Sequence, residues 1–167
     1  LEHLLEEKGD IEMLRQVRRI SDLAQVAYVR QKEQLGLGHA VLMAKELVGH
    51  ESFAVMLSYD VVSADRPCIG QLIDAYKHTH ASVVAVREVP RGQTRRYGVV
   101  DVAADSTTDQ RLHKLAGIVE KPDPSVAPSN LAVIGRYVLT PKIFEKLEQT
   151  QRGAGGEIQL TDEIMSL

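Results

Sequence analysis

One short stretch restricts this chain more than any other: Arg-Gln-Lys-Glu-Gln-Leu-Gly-Leu-Gly-His-Ala-Val at residues 30–41. An apolar β-like run, Val-Ala-Tyr-Val at 26–29, stands before it, and an apolar helical run at 40–44 follows. That order predicts a strand-to-helix loop in an α/β unit, where open sheets bind their ligands. Gly36 and Gly38 allow a sharp bend and a close backbone approach to a ligand. The helix behind them would turn unpaired N–H groups back toward the loop. Gln31 and Gln34 supply amide donors and acceptors able to read the polar edge of a base. On these residues alone an ordinary βα turn accounts for the pattern as well.

The rest of the chain reads as further α/β units. Leu4, Leu5, Met13, Leu14 and Val17 form the apolar stripe of two short helices broken at Gly9 and Asp10, with Asp10 as N-cap. Arg15, Arg18 and Arg19 then lie on a solvated face. Residues 53–57, Phe-Ala-Val-Met-Leu, form an uninterrupted apolar run, the pattern of a parallel strand buried on both faces. Residues 67–80 predict a helix with Ile69, Leu72, Ile73 and Tyr76 on one face, and 82–86 a second buried strand. The basic stretch 90–96 reads as a solvated loop. Tyr97 and Gly98 open another strand, and a glycine there marks a bulge or the close approach of a ligand. The apolar run 115–119 leads into Glu120, Lys121 and Pro122. A carboxylate beside an ammonium can serve a sugar phosphate, and equally can be a strand exit into a turn. Thr140 and Pro141 predict a helix start with Ile143, Phe144 and Leu147 facing inward, and Thr161 a cap on the final helix.

Composition excludes several classes. The 167 residues fit one domain, 1–167, with a sizeable core. A net charge of −3 argues against a general nucleic-acid binder. The lone Cys68 rules out an intrachain disulfide and fits a reducing, cytoplasmic setting. No apolar run approaches the roughly 20 residues of a membrane span, and no signal peptide is visible. The six histidines lack zinc spacing with Cys68. No Gly-x-Gly-x-x-Gly follows a strand, against a nicotinamide-dependent oxidoreductase, and no nucleophile–base constellation stands out.

The loop at 30–41 resembles the base-facing loop of the bacterial UTP–glucose-1-phosphate uridylyltransferases. The later segments Tyr-Gly-Val at 97–99, Glu-Lys-Pro at 120–122, Ala-Pro-Ser-Asn-Leu-Ala at 127–132 and the glycine-rich 153–162 resemble the same family in the same order. The resemblance implies a three-layer α/β/α nucleotidyltransferase fold, Rossmann-like, with a mixed and mostly parallel sheet. It assigns uracil contacts to Gln31 and Gly36, room for the hexose to Gly98, glucose hydroxyls to Glu120, and the sugar phosphate to Lys121, the one catalytic residue. Asn130, Glu157 and Gln159 would position the sugar pocket.

The family strand matching 53–57 ends in a small residue and then an Asp that binds Mg²⁺. That position is Tyr59 here, and Asp60, the candidate metal ligand, comes one residue late. Successive strand side chains face opposite ways, so Asp60 is not an automatic substitute. The implied partners are UTP, glucose 1-phosphate and UDP-glucose, with no nucleic acid or membrane, and a homo-oligomer is compatible with the resemblance. The family's glycine-rich triphosphate loop and a later metal carboxylate have no counterpart here, so the expectation is an internal fragment with little transferase activity alone. The alternatives are a non-catalytic nucleotide-sugar binder and a sister enzyme using dTTP or another sugar 1-phosphate.

Overall fold

In the computed structural model of the chain, residues 1–106, 111–150 and 156–167 are described. They form two compact units, Leu1–Arg30 and Gln31–Leu167.

The first unit is a helical hairpin of α1 (Glu2–Glu7) and α2 (Ile11–Ser21). Asp10 caps α2 as expected, its carboxylate accepting the Met13 amide at 3.1 Å. Leu5 and Leu14 are buried. Arg18 is not simply solvated: its guanidinium pairs with Glu2 at 3.2 Å and with Glu6, tying α2 to α1. The run at 26–29 forms no strand, and Tyr28 is 94% exposed. Apolar residues with β propensity become a strand only beside a partner that takes up their N–H and C=O groups.

The second unit is built on its longest strand. After the short helices α3 (Leu37–Leu42) and α4 (Lys45–Val48) come β1 (Phe53–Met56), α5 (Cys68–Thr79) and β2 (Val83–Glu88). A 3-10 helix (Arg91–Arg96), β3 (Gly98–Val102), β4 (Leu115–Glu120), β5 (Leu131–Leu139), α6 (Lys142–Gln149) and α7 (Leu160–Ile164) complete the order. β5 is antiparallel to β1, β2 and β3, and β3 is antiparallel to β4.

The α/β class holds, but the mostly parallel sheet does not: every strand pairing among the described residues is antiparallel. β1 and β2 run in the same direction, yet each hydrogen-bonds to β5 instead of to the other. An apolar run records burial, not direction, and direction is set by connectivity. β1 also departs from burial on both faces. Its residues alternate, and Met56 is 61% exposed.

Helices cover both faces of β5. Val133, Tyr137 and Leu139 pack with Val41, Val100, Ile143, Phe144, Leu147, Ile158 and Leu160. On the opposite face Ile134 and Val138 meet Leu72, Ile69 and Tyr76 of α5. This is the period-2 alternation of a central strand between two helical layers. The expected inward residues of α6 are at most 2% exposed, and Phe144 stacks on Phe53 with ring centroids 5.0 Å apart. Burying three such side chains contributes about 5–9 kcal/mol before entropy is counted. Ile73, expected on the inner face of α5, is 37% exposed. No helix among the described residues is long and apolar enough to cross a membrane.

Candidate functional site

The loop that opens the second unit is shaped by its own amides. Gln31 Nε2 donates to Gly36 O at 3.1 Å and lies 3.0 Å from His39 Nδ1. Gly36 has φ 92°, a region costly for any residue with a Cβ. It also presses on residues 157–158: a Cβ there would come within 2.9 Å of Glu157 Cβ and of Ile158 O. Its close approach is therefore to protein backbone. Ile158 closes the contact, its N–H donating to Leu35 O at 2.7 Å and its carbonyl accepting from Gly38 N at 2.9 Å.

Three residues beyond Ile158, Thr161 Oγ1 donates to Glu120 Oε2 at 3.3 Å. Thr161 lies inside α7 and does not cap it, because Gln159 holds the N-cap position. Three residues span at most about 11 Å, so segment 158–161 brings the Gln31–Gly36 loop and the end of β4 into one neighbourhood. Sequence reading placed Thr161 at a helix end and overlooked its link to Glu120. Its one signal was a hydroxyl in the glycine-rich tail.

At the end of β4, Glu120 Oε1 stands 3.6 Å from Lys121 Nζ, with the lysine side chain 61% exposed. Lys121 adopts φ 48°, left-handed for a residue that also precedes proline. Such a conformation costs on the order of 1–3 kcal/mol and persists only where neighbours over-determine it. Here Lys121 N donates to Tyr97 O at 3.0 Å, and the buried Thr94 Oγ1 lies 3.3 Å from Pro122 O. The basic stretch 90–96 is exposed as expected except at Thr94, but it forms a 3-10 helix that is hydrogen-bonded to this corner. Arg91 donates to Pro124 O at 2.9 Å and to Ala127 O at 2.8 Å, and Arg95 pairs with Asp123 at 3.2 Å. Gly98 faces the same corner, where a Cβ would meet Glu120 Oε2 at 3.2 Å and Thr161 Cγ2 at 3.3 Å. It clears space for the Glu120 carboxylate itself.

The end of β1 is arranged differently. Asp60 Oδ2 accepts the Gly135 amide at 2.8 Å, while Arg136 donates to Leu57 O at 2.9 Å and to Asp60 O. Tyr59 is 77% exposed. Burial, and then the Asp60 charge, raise its phenol above the ordinary tyrosine value. Tyr137 is pushed up to about 12, chiefly by burial, with the charges of Tyr59, Asp60 and Glu120 adding to it. Both phenols are neutral donors at physiological pH. Mg²⁺ prefers one or two carboxylates together with phosphate oxygens. The turn offers one carboxylate with an oxygen already committed, a neutral phenol, and a guanidinium on the same backbone. Asp60 Oδ1 is thus the one carboxylate oxygen the turn could offer a divalent cation, and the described residues contain no group of three or more His, Cys, Asp or Glu side chains able to hold one.

In the loop before β5, Ser129 does the backbone-holding work expected of Asn130. Its Oγ donates to Val100 O at 2.5 Å and accepts Leu131 N at 3.1 Å. Gln159 Nε2 donates to Glu157 at 3.1 Å. The glycines at 153 and 155 lie outside the described residues.

Residues 3–167 match the model of the nucleotidyl transferase family. The UTP–glucose-1-phosphate uridylyltransferase of Staphylococcus epidermidis is 52% identical over 164 residues, covering 98% of this chain and 56% of that protein. The protein of the same name from Bacillus subtilis is 50% identical over 167 residues, covering 100% of this chain and 56% of its own length. Among solved structures, a UDP-glucose pyrophosphorylase complexed with UDP-glucose superposes with a TM-score of 0.85 at 40% identity, covering 95% of this chain and 60% of its own. The chain therefore spans little more than half the length of the curated relatives it matches.

Proposed function

This chain belongs to the nucleotidyl transferase family, and we propose that it is part of an enzyme making UDP-glucose and pyrophosphate from UTP and glucose 1-phosphate. The observation that carries this reading is the bridge through 158–161, which joins an amide-bearing loop to a carboxylate–ammonium corner. A nucleoside diphosphate sugar needs that combination: a base edge to be read at one end, hydroxyls and phosphate to be held at the other. The names of the relatives and the UDP-glucose complex of the structural neighbour support the same choice. Residues 1–167 read as a single nucleotidyltransferase domain, a reading that the family match over 3–167 supports.

Gln31 and the Gly36 backbone bind the uracil. Glu120, anchored by Thr161 and given room by Gly98, accepts from the glucose hydroxyls. Lys121 pairs with the phosphate as a point charge. A phosphate oxygen of glucose 1-phosphate attacks the α-phosphorus of UTP. A new P–O bond forms, the α–β bridging bond breaks, and its electron pair leaves with pyrophosphate. The rate gain comes from holding the two anions in line and offsetting their charge, with no covalent protein intermediate. Asp60, through its second oxygen, would hold a Mg²⁺, which would offset phosphate charge, and no step is assigned to it. Tyr59 at the family's metal position favours one second reading, a nucleotide-sugar binder without turnover.

Calorimetric titration and a rate assay on the full-length protein test the proposal. UDP-glucose binds, and Lys121→Ala weakens it by about tenfold or more while UMP affinity changes little, as loss of a charged contact predicts. Absence of UDP-glucose binding by the unaltered protein would overturn the reading. Intact binding with no UDP-glucose formed from UTP and glucose 1-phosphate would select the binder instead.

A further inference from the structure

Gln31 reads a base only if its amide presents the right atom, and an amide has two ends of opposite character. In this loop the choice is settled by what surrounds it. Gly36 O can only accept, so the amide atom 3.1 Å away is the nitrogen. The same nitrogen lies 3.0 Å from His39 Nδ1. Its second proton therefore points at that ring nitrogen, which must be bare, placing the His39 proton on Nε2. Both amide protons are then used, and among the described residues Oε1 accepts no hydrogen bond.

We propose that His39 is a specificity-determining positioning residue, which fixes the Gln31 amide so that its oxygen, not its nitrogen, is left to the base. This rests on the uridine-nucleotide reading above and deepens it. An acceptor at Gln31 Oε1, beside a backbone donor at Gly36, is complementary to the imino N3–H of a uracil or thymine ring and the carbonyl next to it. Turning the amide over would set its oxygen against Gly36 O and offer the base two donors. The Gly36 bond alone leaves the second amide proton unpaired and the orientation half-supported. His39 supplies the missing acceptor from the first turn of α3, three residues past Gly36.

The contact can be read directly by NMR on ¹⁵N-labelled protein. His39 Nδ1 resonates as an unprotonated ring nitrogen and shows a through-hydrogen-bond ¹⁵N–¹⁵N coupling to Gln31 Nε2. A protonated Nδ1, or no coupling, overturns the proposal. In titrations, His39→Leu weakens UDP-glucose by about tenfold, the scale of one misplaced hydrogen bond, and leaves glucose 1-phosphate unchanged. His39→Asn, whose Oδ1 stands where Nδ1 stood, restores most of the UDP-glucose affinity. A general disturbance of the fold would weaken both ligands alike and would not be rescued by Asn, and either result overturns the positioning role. If the unaltered protein binds glucose 1-phosphate but no UDP-glucose, the uridylyltransferase reading fails, and the coupling still decides the Gln31–His39 contact.

Discussion

The ends of β4 and β1 each carry a carboxylate after an apolar run, and the two carboxylates are held in different ways. Glu120 is held by one hydroxyl, Thr161 Oγ1, and keeps its other oxygen beside the exposed Lys121 ammonium. The backbone at Lys121 is forced to φ 48° to turn that ammonium out. Asp60 ties β1 to β5: one of its carboxylate oxygens accepts a β5 amide, and Arg136 fastens the surrounding backbone. A carboxylate at a strand end is a candidate ligand only after its hydrogen bonds have been counted. The β4 end carries a left-handed backbone and an exposed ammonium, whereas the β1 end is tied to β5 through one carboxylate oxygen and Arg136.

The sharpest way to break this contrast is to unseat Asp60. Gly135→Ala would put a Cβ 2.6 Å from both Asp60 Oδ2 and Leu57 Cβ. The Asp60 carboxylate can swing away only by releasing the Gly135 amide, and Leu57 Cβ is fixed to its backbone, so the change lowers unfolding free energy by about 3 kcal/mol in a denaturant titration. A loss below about 0.5 kcal/mol would mean that the β1 end is no tighter than the β4 end.

Tyr137 probes both ends together, since it feels the charges of Asp60 and Glu120. Its folded value lies above the unfolded value of 10, at about 12. The stability it supports is therefore complete below pH 10 and is lost as pH rises through 12. Between those limits the loss is about 2–3 kcal/mol by linkage, and Tyr137→Phe flattens that part of the curve. An unchanged slope in the Phe variant would remove Tyr137 from the comparison.

The smallest effect has the unusual sign. Lys121→Gly relaxes the left-handed backbone and raises stability by up to about 1 kcal/mol, while UDP-glucose affinity falls. Loss of stability on this change would show that Lys121 is retained for packing and not for a ligand.

Much of this was legible in the residues. The apolar runs and helical faces told of an α/β sandwich, Asp10 of a cap, and the quoted motifs of the family. The motifs also located Gln31, Gly36, Gly98, Glu120 and Lys121 as residues to watch. The misreadings share a cause. Residues 26–29 have strand chemistry but no strand beside them. Residues 53–57 have the apolar content of a doubly buried strand, yet alternate faces against β5. At Gly36 and Gly98, read as room for a ligand, the structure adds protein neighbours that the sequence did not show.

Local sequence determined which segments are apolar, where helices start and which side chains carry charge, because propensity, capping and periodicity act within a few residues. Only the tertiary structure decided strand direction, the fate of Asp60, the partner of Thr161 and the orientation of the Gln31 amide. Each depends on an atom far away in the chain or across a loop: Gly135 for Asp60, Glu120 for Thr161, His39 for Gln31. A hydrogen bond is satisfied by position in space, and spacing in sequence does not encode it.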